Sequence, residues 1–470
     1  MIDDGVQTAS KRTGVRSDVK PQPTYYLDPI ETILTPTLRA HVAQRVVPVL
    51  AWSGIAGVAV GVAATLFNRI LEYAAGAALD IGQAMTREPR WIALYVPCML
   101  AAAIFLCWWT TILPEARGSG IPRTEAMMCG KKQLVWWKMC LATFVGSGVS
   151  FVAGMSVGAE GPTVQFGGGL GAGVERLGGL PRGKRYVANS GLAAGVASAF
   201  IAPCTGVLFA IEEVQRKFDP LLIASAIVAV LYAYAVRLGL GAALGMHEIL
   251  FAASAIETLP LRYIWAVVAV GVVAALCAKL FNTVILTADR IAYRSKLPRW
   301  TMIVAAFAVT AVVNIFVVDN VGSGAWIIDG ILGMRYGWGK LLLLLAIKFA
   351  LVALIFRGGV TGGMMVPMLA LGAMLGALVG GVCVCIGMPQ SYVPMLAMIS
   401  MSAFFGACIR APFTVIALFA ETTGRTDALF ALMLAVLISH ALAELLRLRP
   451  LYDTLWIRDL AREGLPKQTE

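Results

Sequence analysis

The sequence predicts an all-α polytopic membrane protein, and three observations predict it. First, 59% of the 470 residues are hydrophobic, 14% are charged and the mean hydropathy is +0.78. Soluble domains average about 25% charged residues, so this chain lacks the charge to cover a water-facing surface of its size. Second, windows 46–68, 91–114 and 139–159 carry no Asp, Glu, Lys or Arg, and 358–409 is an unbroken uncharged run. A helix needs roughly 20 apolar residues to cross the ~30 Å hydrocarbon core, so the last run is long enough for two crossings. Third, the windows are rich in Leu, Ala, Gly and Val and lack the alternation of barrel strands. Only helices and closed barrels satisfy the backbone in lipid, and the 48 glycines suit close packing of helices.

Along the chain, residues 1–28 are polar with Pro21 and Pro23 and read as a flexible cytoplasmic arm. Residues 29–45 alternate Leu and Ile with Arg39, His41 and Arg45, the pattern of a surface helix leading into the first span. The membrane domain is expected over 29–450. Beyond the uncharged windows it holds apolar stretches near 187–211, 221–236, 263–278, 300–318, 341–356 and 428–443. Several are shorter than a clean span, which points to tilted, broken or half-length helices inside a bundle. Residues 451–470 form a short charged segment, too small for a regulatory domain of ordinary size.

The formal charge is +11. Lys11, Arg12, Arg16 and Lys20 precede the first span, and Arg447, Arg449, Arg458, Arg462 and Lys467 follow the last. Positive ends favour the cytoplasmic side, so both termini are expected there. The excess reads as a topological anchor touching anionic lipid, with a direct pull on substrate anions as the alternative. Basic residues dispersed around a membrane core argue against nucleic-acid binding. The first apolar run starts after residue 45, too late for a cleavable signal peptide. Eight of the nine cysteines lie in apolar stretches and read as packing residues, with no metal-ligand or disulfide framework. The three histidines, His41, His247 and His440, form no H-E-x-x-H arrangement, which argues against an intramembrane metalloprotease. No enzyme activity, metal or cofactor is expected.

An internal repeat is visible. Gly158-Ala-Glu-Gly-Pro162 and Gly363-Met-Met-Val-Pro367 each precede a glycine-rich apolar stretch, with their prolines 205 residues apart. At that offset Gly167 meets Gly372 and Gly171 meets Gly376. Ala202-Pro203, running on to Leu208-Phe209-Ala210-Ile211-Glu212, meets Ala411-Pro412, running on to Leu418-Phe419-Ala420-Glu421, at an offset of 209. The halves are placed at about 46–240 and 260–446. Repeated halves with Gly- or Pro-interrupted segments at matching positions point to a transport site at their interface.

A bare anion in a membrane is very costly. Broken helices meet that cost softly, because their first N–H groups are unpaired and carry partial positive charge, and several aimed at one point bind an anion without a full cation. Such a site calls for Gly or Pro at helix starts. Three segments qualify: Gly118-Ser-Gly-Ile-Pro122, Gly158-Ala-Glu-Gly-Pro162 and Gly362-Gly-Met-Met-Val-Pro367. Glu160 is the lone charge between Lys138 and Glu175, and an isolated ionisable group inside a membrane is a functional candidate by default. Read alone, Ser119 is equally a helix N-cap, Tyr452 an interfacial aromatic anchor, and Glu212 and Glu213 a marker of the membrane surface.

These segments, with Thr-Val-Gln after Pro162, Met-Leu-Ala-Leu-Gly after Pro367 and Pro450-Leu-Tyr452 near the end, resemble the signature loops of the CLC chloride channels and transporters, in order from roughly residue 40 to 462. The resemblance implies a fold of two inverted, repeated halves and a homodimer with one pathway per subunit. It also implies a prokaryotic chloride/proton antiporter in a bacterial inner membrane, with a passive anion channel as the alternative. The implied anion site comprises Ser119, Tyr452, the N–H groups of Met364 and Met365, and the loop glycines Gly118, Gly120, Gly161 and Gly363. Glu160 is implied to be the gate and outer proton carrier, and Glu213 the inner proton-transfer acid, with Glu212 a structural neighbour. The sequence departs from the family pattern twice: Ala159 stands where an Arg usually precedes the gating acid, and Met365 where a Phe is frequent. The first removes positive charge near the outer entrance; the second substitutes a flexible side chain at the constriction.

Overall fold

The computed structural model describes residues 42–180, 185–246, 251, 256–295 and 297–462. The expected arm 1–28, most of the 29–45 helix, His41, His247 and Lys467 lie outside the described residues.

A π-helical turn, Val42–Val46, precedes α1, Val47–Arg87. The helix continues well past its uncharged window because its next charges lie on its surface, where Arg69 pairs with Glu72 at 2.9 Å. Its 41 residues reach roughly 60 Å, about twice the hydrocarbon core, so it is tilted or projects into water. Then follow α2 (Ile92–Ile112), α3 (Ile121–Met128), α4 (Trp136–Val152), α5 (Glu160–Leu177), α6 (Tyr186–Phe200), α7 (Pro203–Phe209) and α8 (Pro220–Ala243). The second series is α9 (Ile264–Arg294), α10 (Arg299–Phe316), α11 (Ala325–Leu332), α12 (Trp338–Gly358), α13 (Met365–Cys385), α14 (Val393–Ile409), α15 (Pro412–Thr423) and α16 (Leu429–Leu445). A final helix, α17, covers Leu451–Arg462. Helices α1–α8 and α9–α16 thus repeat the same order of long, short and broken elements. Eight helices among the described residues are long and apolar enough to cross a membrane.

The uncharged run 358–409 supplies two helices, α13 and α14, as its length predicts. The stretch 187–211, expected as one apolar segment, is instead broken. Ile201 turns left-handed (φ 57°) and Pro203 starts a new helix; its counterpart break sits at Arg410 (φ 67°) before Pro412. A residue followed by proline is pushed out of the helical region, so the Ala-Pro pairs end α6 and α14 at matching places.

Helices α5, α6, α13 and α14 form the interior. Every residue of α14 is buried, and a helix apolar on all faces belongs inside a bundle. The repeated glycines explain how closely these pairs pack. A Cβ added to Gly191 on α6 would sit 2.8 Å from the Cα of Gly171 on α5, and one on Gly376 of α13 would sit 2.7 Å from the Cα of Ala397 on α14. Both separations are too short for a real side chain, so glycine lets the backbones touch in each half.

Candidate functional site

The three Gly/Pro segments end as helix starts, and the structure brings them to one place. α3 begins one residue after Gly120, α5 begins at Glu160 and α13 at Met365. Gly158 and Gly363, equivalent by the repeat, form an antiparallel bridge: Gly158 N donates to Gly363 O at 2.8 Å and Gly363 N to Gly158 O at 2.7 Å. Gly118 N donates to Gly359 O at 3.1 Å, and Gly362 N to Gly118 O at 3.2 Å. Gly118 (φ 72°) and Gly120 (φ 80°) both adopt the left-handed conformation, which glycine supplies without strain. A Cβ on Gly161 would meet the Ser119 carbonyl, lie 2.8 Å from Gly363 Cα and 3.1 Å from Ser119 Oγ. All three segments therefore converge at Gly161.

The side chains around this point are buried and incompletely bonded. Ser119 is 6% exposed, and its Oγ has no hydrogen-bond partner among the described residues. It does not cap α3, whose N-cap is Gly120. Tyr452, on the first turn of α17, is fully buried with its hydroxyl unpartnered among the described residues, so it is no interfacial anchor. Met364 and Met365 are each 1% exposed; at the start of α13 their N–H groups have no intrahelical acceptor. The Glu160 carboxyl is faced by the backbone N–H groups of Glu160, Val366 and Ala159, so it sits where α5 and α13 both begin. Its Oε2 has no hydrogen-bond partner among the described residues and would lie 3.3 Å from a Cβ on Gly363.

Two cavities reach this convergence. One, of about 200 Å³, is lined by Ser119, Met364, Arg117, Arg299 and Arg357 among others. The other, of about 260 Å³, is lined by Glu160, Ala159, Val366, Ser323 and Arg237 among others. The arrangement presents oriented N–H and O–H donors to an anion, beside one carboxyl able to occupy the same donors.

Glu213 and Glu212 separate clearly. They lie in a π-helical turn, Ala210–Gln215, that continues α7. Glu213 is 1% exposed, with both carboxyl oxygens lacking hydrogen bonds and Arg216 Nη2 at 3.6 Å. Glu212 reaches the start of α15 in the other half. Its Oε1 accepts from Phe413 N at 3.1 Å, and its Oε2 accepts from Thr414 N and Thr414 Oγ1, both at 2.7 Å. Glu421 of α15 returns the contact at the start of α7, accepting from Cys204 N (2.7 Å), Thr205 N (2.8 Å) and Thr205 Oγ1 (2.7 Å). Each half therefore caps a helix of the other. Glu212→Ala is expected to cost about 1–3 kcal/mol by orphaning those donors, read as a lower unfolding midpoint in detergent; Glu421→Ala should match it.

Sequence reasoning missed three features. Gly322-Ser323-Gly324 repeats Gly118-Ser119-Gly120 at an offset of 204 and precedes α11, the partner of α3. Gly322 N donates to Gly154 O at 3.1 Å, the counterpart of the Gly118–Gly359 bond. The second is Lys348, fully buried in α12, whose ammonium donates to Gly322 O at 2.6 Å and Asn320 O at 3.3 Å. The third is Glu125 on α3, 1% exposed with neither oxygen bonded. The signal for Lys348 was its place in the middle of the apolar stretch 341–356.

Residues 98–444 match a family model described as voltage gated chloride channel. The chain is 30% identical over 441 residues to the H⁺/Cl⁻ exchange transporter ClcA of Vibrio cholerae serotype O1, covering 89% of this chain and 91% of that protein. It is 27% identical over 433 residues to the H⁺/Cl⁻ exchange transporter ClcA of Cronobacter sakazakii, covering 90% and 92%. Among solved structures, a slow cyanobacterial Cl⁻/H⁺ antiporter superposes with a TM-score of 0.81 at 23% identity, covering 89% of this chain and 99% of that one. A CLC-type fluoride/proton antiporter gives 0.72 at 18%, covering 87% and 97%. Those two likenesses carry the fold.

Proposed function

Because the chain belongs to the voltage-gated chloride channel family, we propose that it exchanges chloride against protons across the membrane. The observation that carries this reading is the Glu160 carboxyl lying at the joint start of α5 and α13. Relatives named as H⁺/Cl⁻ exchange transporters support exchange over passive flow.

In this reading chloride is held by Ser119 Oγ, the Tyr452 hydroxyl and the N–H groups of Met364 and Met365, with Gly118, Gly120, Gly161 and Gly363 letting the loops close around it. Helix-start dipoles attract the ion without binding it as tightly as a fixed cation. The ionised Glu160 competes for the same donors. Protonation removes its charge and its claim on them, so anion entry and proton uptake become alternatives at one place. Chloride relays no proton, so the proton needs a second acid on its inner leg, and Glu213 fills that role. Ala159 leaves the outer entrance without the family's usual Arg, and the flexible Met365 stands at the constriction.

The proposal extends to a homodimer in a bacterial inner membrane, with one pathway per subunit and both termini cytoplasmic, touching anionic lipid. The family resemblance supports the dimer, and the basic residues before the first span and after the last support the orientation. In liposomes holding the purified protein, an imposed chloride gradient should drive protons uphill. Glu213→Gln should cut that proton flux by about 100-fold, the contribution of a positioned proton carrier. Chloride flux with no proton movement in the unaltered protein makes it a passive channel instead.

A further inference from the structure

Glu125 has no part in the exchange cycle above, yet its setting is that of a proton carrier. It lies in the second turn of α3, the helix that starts after Gly118-Ser119-Gly120. The helix is tied to the turn bearing Glu213, with Cys129 Sγ donating to Val214 O at 3.5 Å and Gln215 Nε2 to Met128 O at 3.4 Å. Glu213 on that turn, Asp453 on α17 and Arg216 just after the turn all act on Glu125. Cys129, the C-cap of its own helix, and the Tyr452 hydroxyl also feel Glu125.

Charge balance gives this cluster its meaning. Arg216 faces two of these acids: its Nη1 pairs closely with Asp453 while its Nη2 is 3.6 Å from Glu213. Glu125 and Glu213 are each 1% exposed, and none of their four carboxyl oxygens has a hydrogen bond among the described residues. Arg216 gives Glu213 a cation partner, but no hydrogen bond among the described residues supports a second buried charge on Glu125, so ionising both is costly. A proton shared by the pair relieves that cost, and either residue can hold it.

We infer that Glu125, on the helix that begins at the Ser119 loop, is a second inner proton-carrying residue, which exchanges a proton with Glu213. In that step a carboxyl O–H of Glu213 breaks as one on Glu125 forms. Glu213 is left as the carboxylate near Arg216, and one negative charge moves opposite to the proton. The inference rests on the exchange reading, because without proton transport a shared proton here carries nothing.

The test uses the full chain in liposomes under a chloride gradient, with proton and chloride fluxes recorded together for the unaltered protein, E125Q and E125D. The expected result is a proton-to-chloride ratio lowered at least about tenfold in E125Q and largely restored in E125D. An unchanged ratio in E125Q, including a parallel fall of both fluxes, overturns the role and leaves the exchange reading standing. Absence of proton movement in the unaltered protein overturns both. Should E125Q not fold, infrared spectroscopy on the unaltered protein and E213Q decides the question. Loss of the Glu213 charge should move the titration midpoint of a buried carboxylic C=O band by about one pH unit or more, and an unmoved midpoint overturns the pairing.

Discussion

Glu160→Ala will stop proton movement and leave chloride moving. The carboxyl of Glu160 faces N–H groups from the starts of both α5 and α13, so its removal does two things together. In the proposed cycle it vacates donors for which chloride competes, and it deletes the carrier that links anion exit to proton entry. The backbone that forms the pocket is untouched, because the convergence is built from Gly158, Gly161, Gly363 and the Ser119 carbonyl. Proton flux in liposomes should fall by about 100-fold or more, and chloride flux should lose its dependence on pH. Retained proton coupling in the variant would remove Glu160 from the mechanism.

Gly161→Ala should instead lower both fluxes together. Its Cβ would press on the Ser119 carbonyl and stand 2.8 Å from Gly363 Cα, where neither neighbour is a flexible side chain. The loops have to separate by several tenths of an ångström, and the donors no longer point at one spot. Overpacking of this kind costs about 1–3 kcal/mol, so if it falls on the bound state, chloride affinity drops by about five- to 150-fold. Calorimetric titration of the detergent-solubilised protein with chloride measures it. Gly76→Ala is the control, since a Cβ there meets nothing within 4 Å. Equal affinity in the Gly161 variant and the control would mean that the backbone convergence does not shape the anion site.

Much of this architecture is legible in the chain because lipid demands long uncharged windows and because Gly and Pro mark where helices start. The run 358–409 divides into α13 and α14, and the Gly158 and Gly363 segments meet across the repeat as their spacing suggests. The break at Ile201 was hidden by hydropathy, since residues on both sides are apolar; Pro203 was the local sign. Gly322-Ser323-Gly324 escaped because it lacks the proline that draws attention to Gly118-Ser-Gly-Ile-Pro122. Glu125 lies among Arg123, Lys131 and Lys132 and resembles a surface acid. Its burial comes from the Glu213 turn and α17, which only the fold brings there. Glu212 and Glu213 are adjacent in sequence, but their different work follows from which half of the molecule each side chain reaches.

The crossed caps at Glu212 and Glu421 also bear on how the chain is made. Cys204 lies 217 residues before the acid that closes its helix. At about 5–20 residues per second of synthesis, α7 waits roughly 10–40 s for Glu421 to leave the ribosome. Through that interval the first half rests in the bilayer with an open helix end. Its completion is a post-insertion event that depends on the last quarter of the polypeptide, so an insertase or chaperone that shields this end has a defined time in which to act.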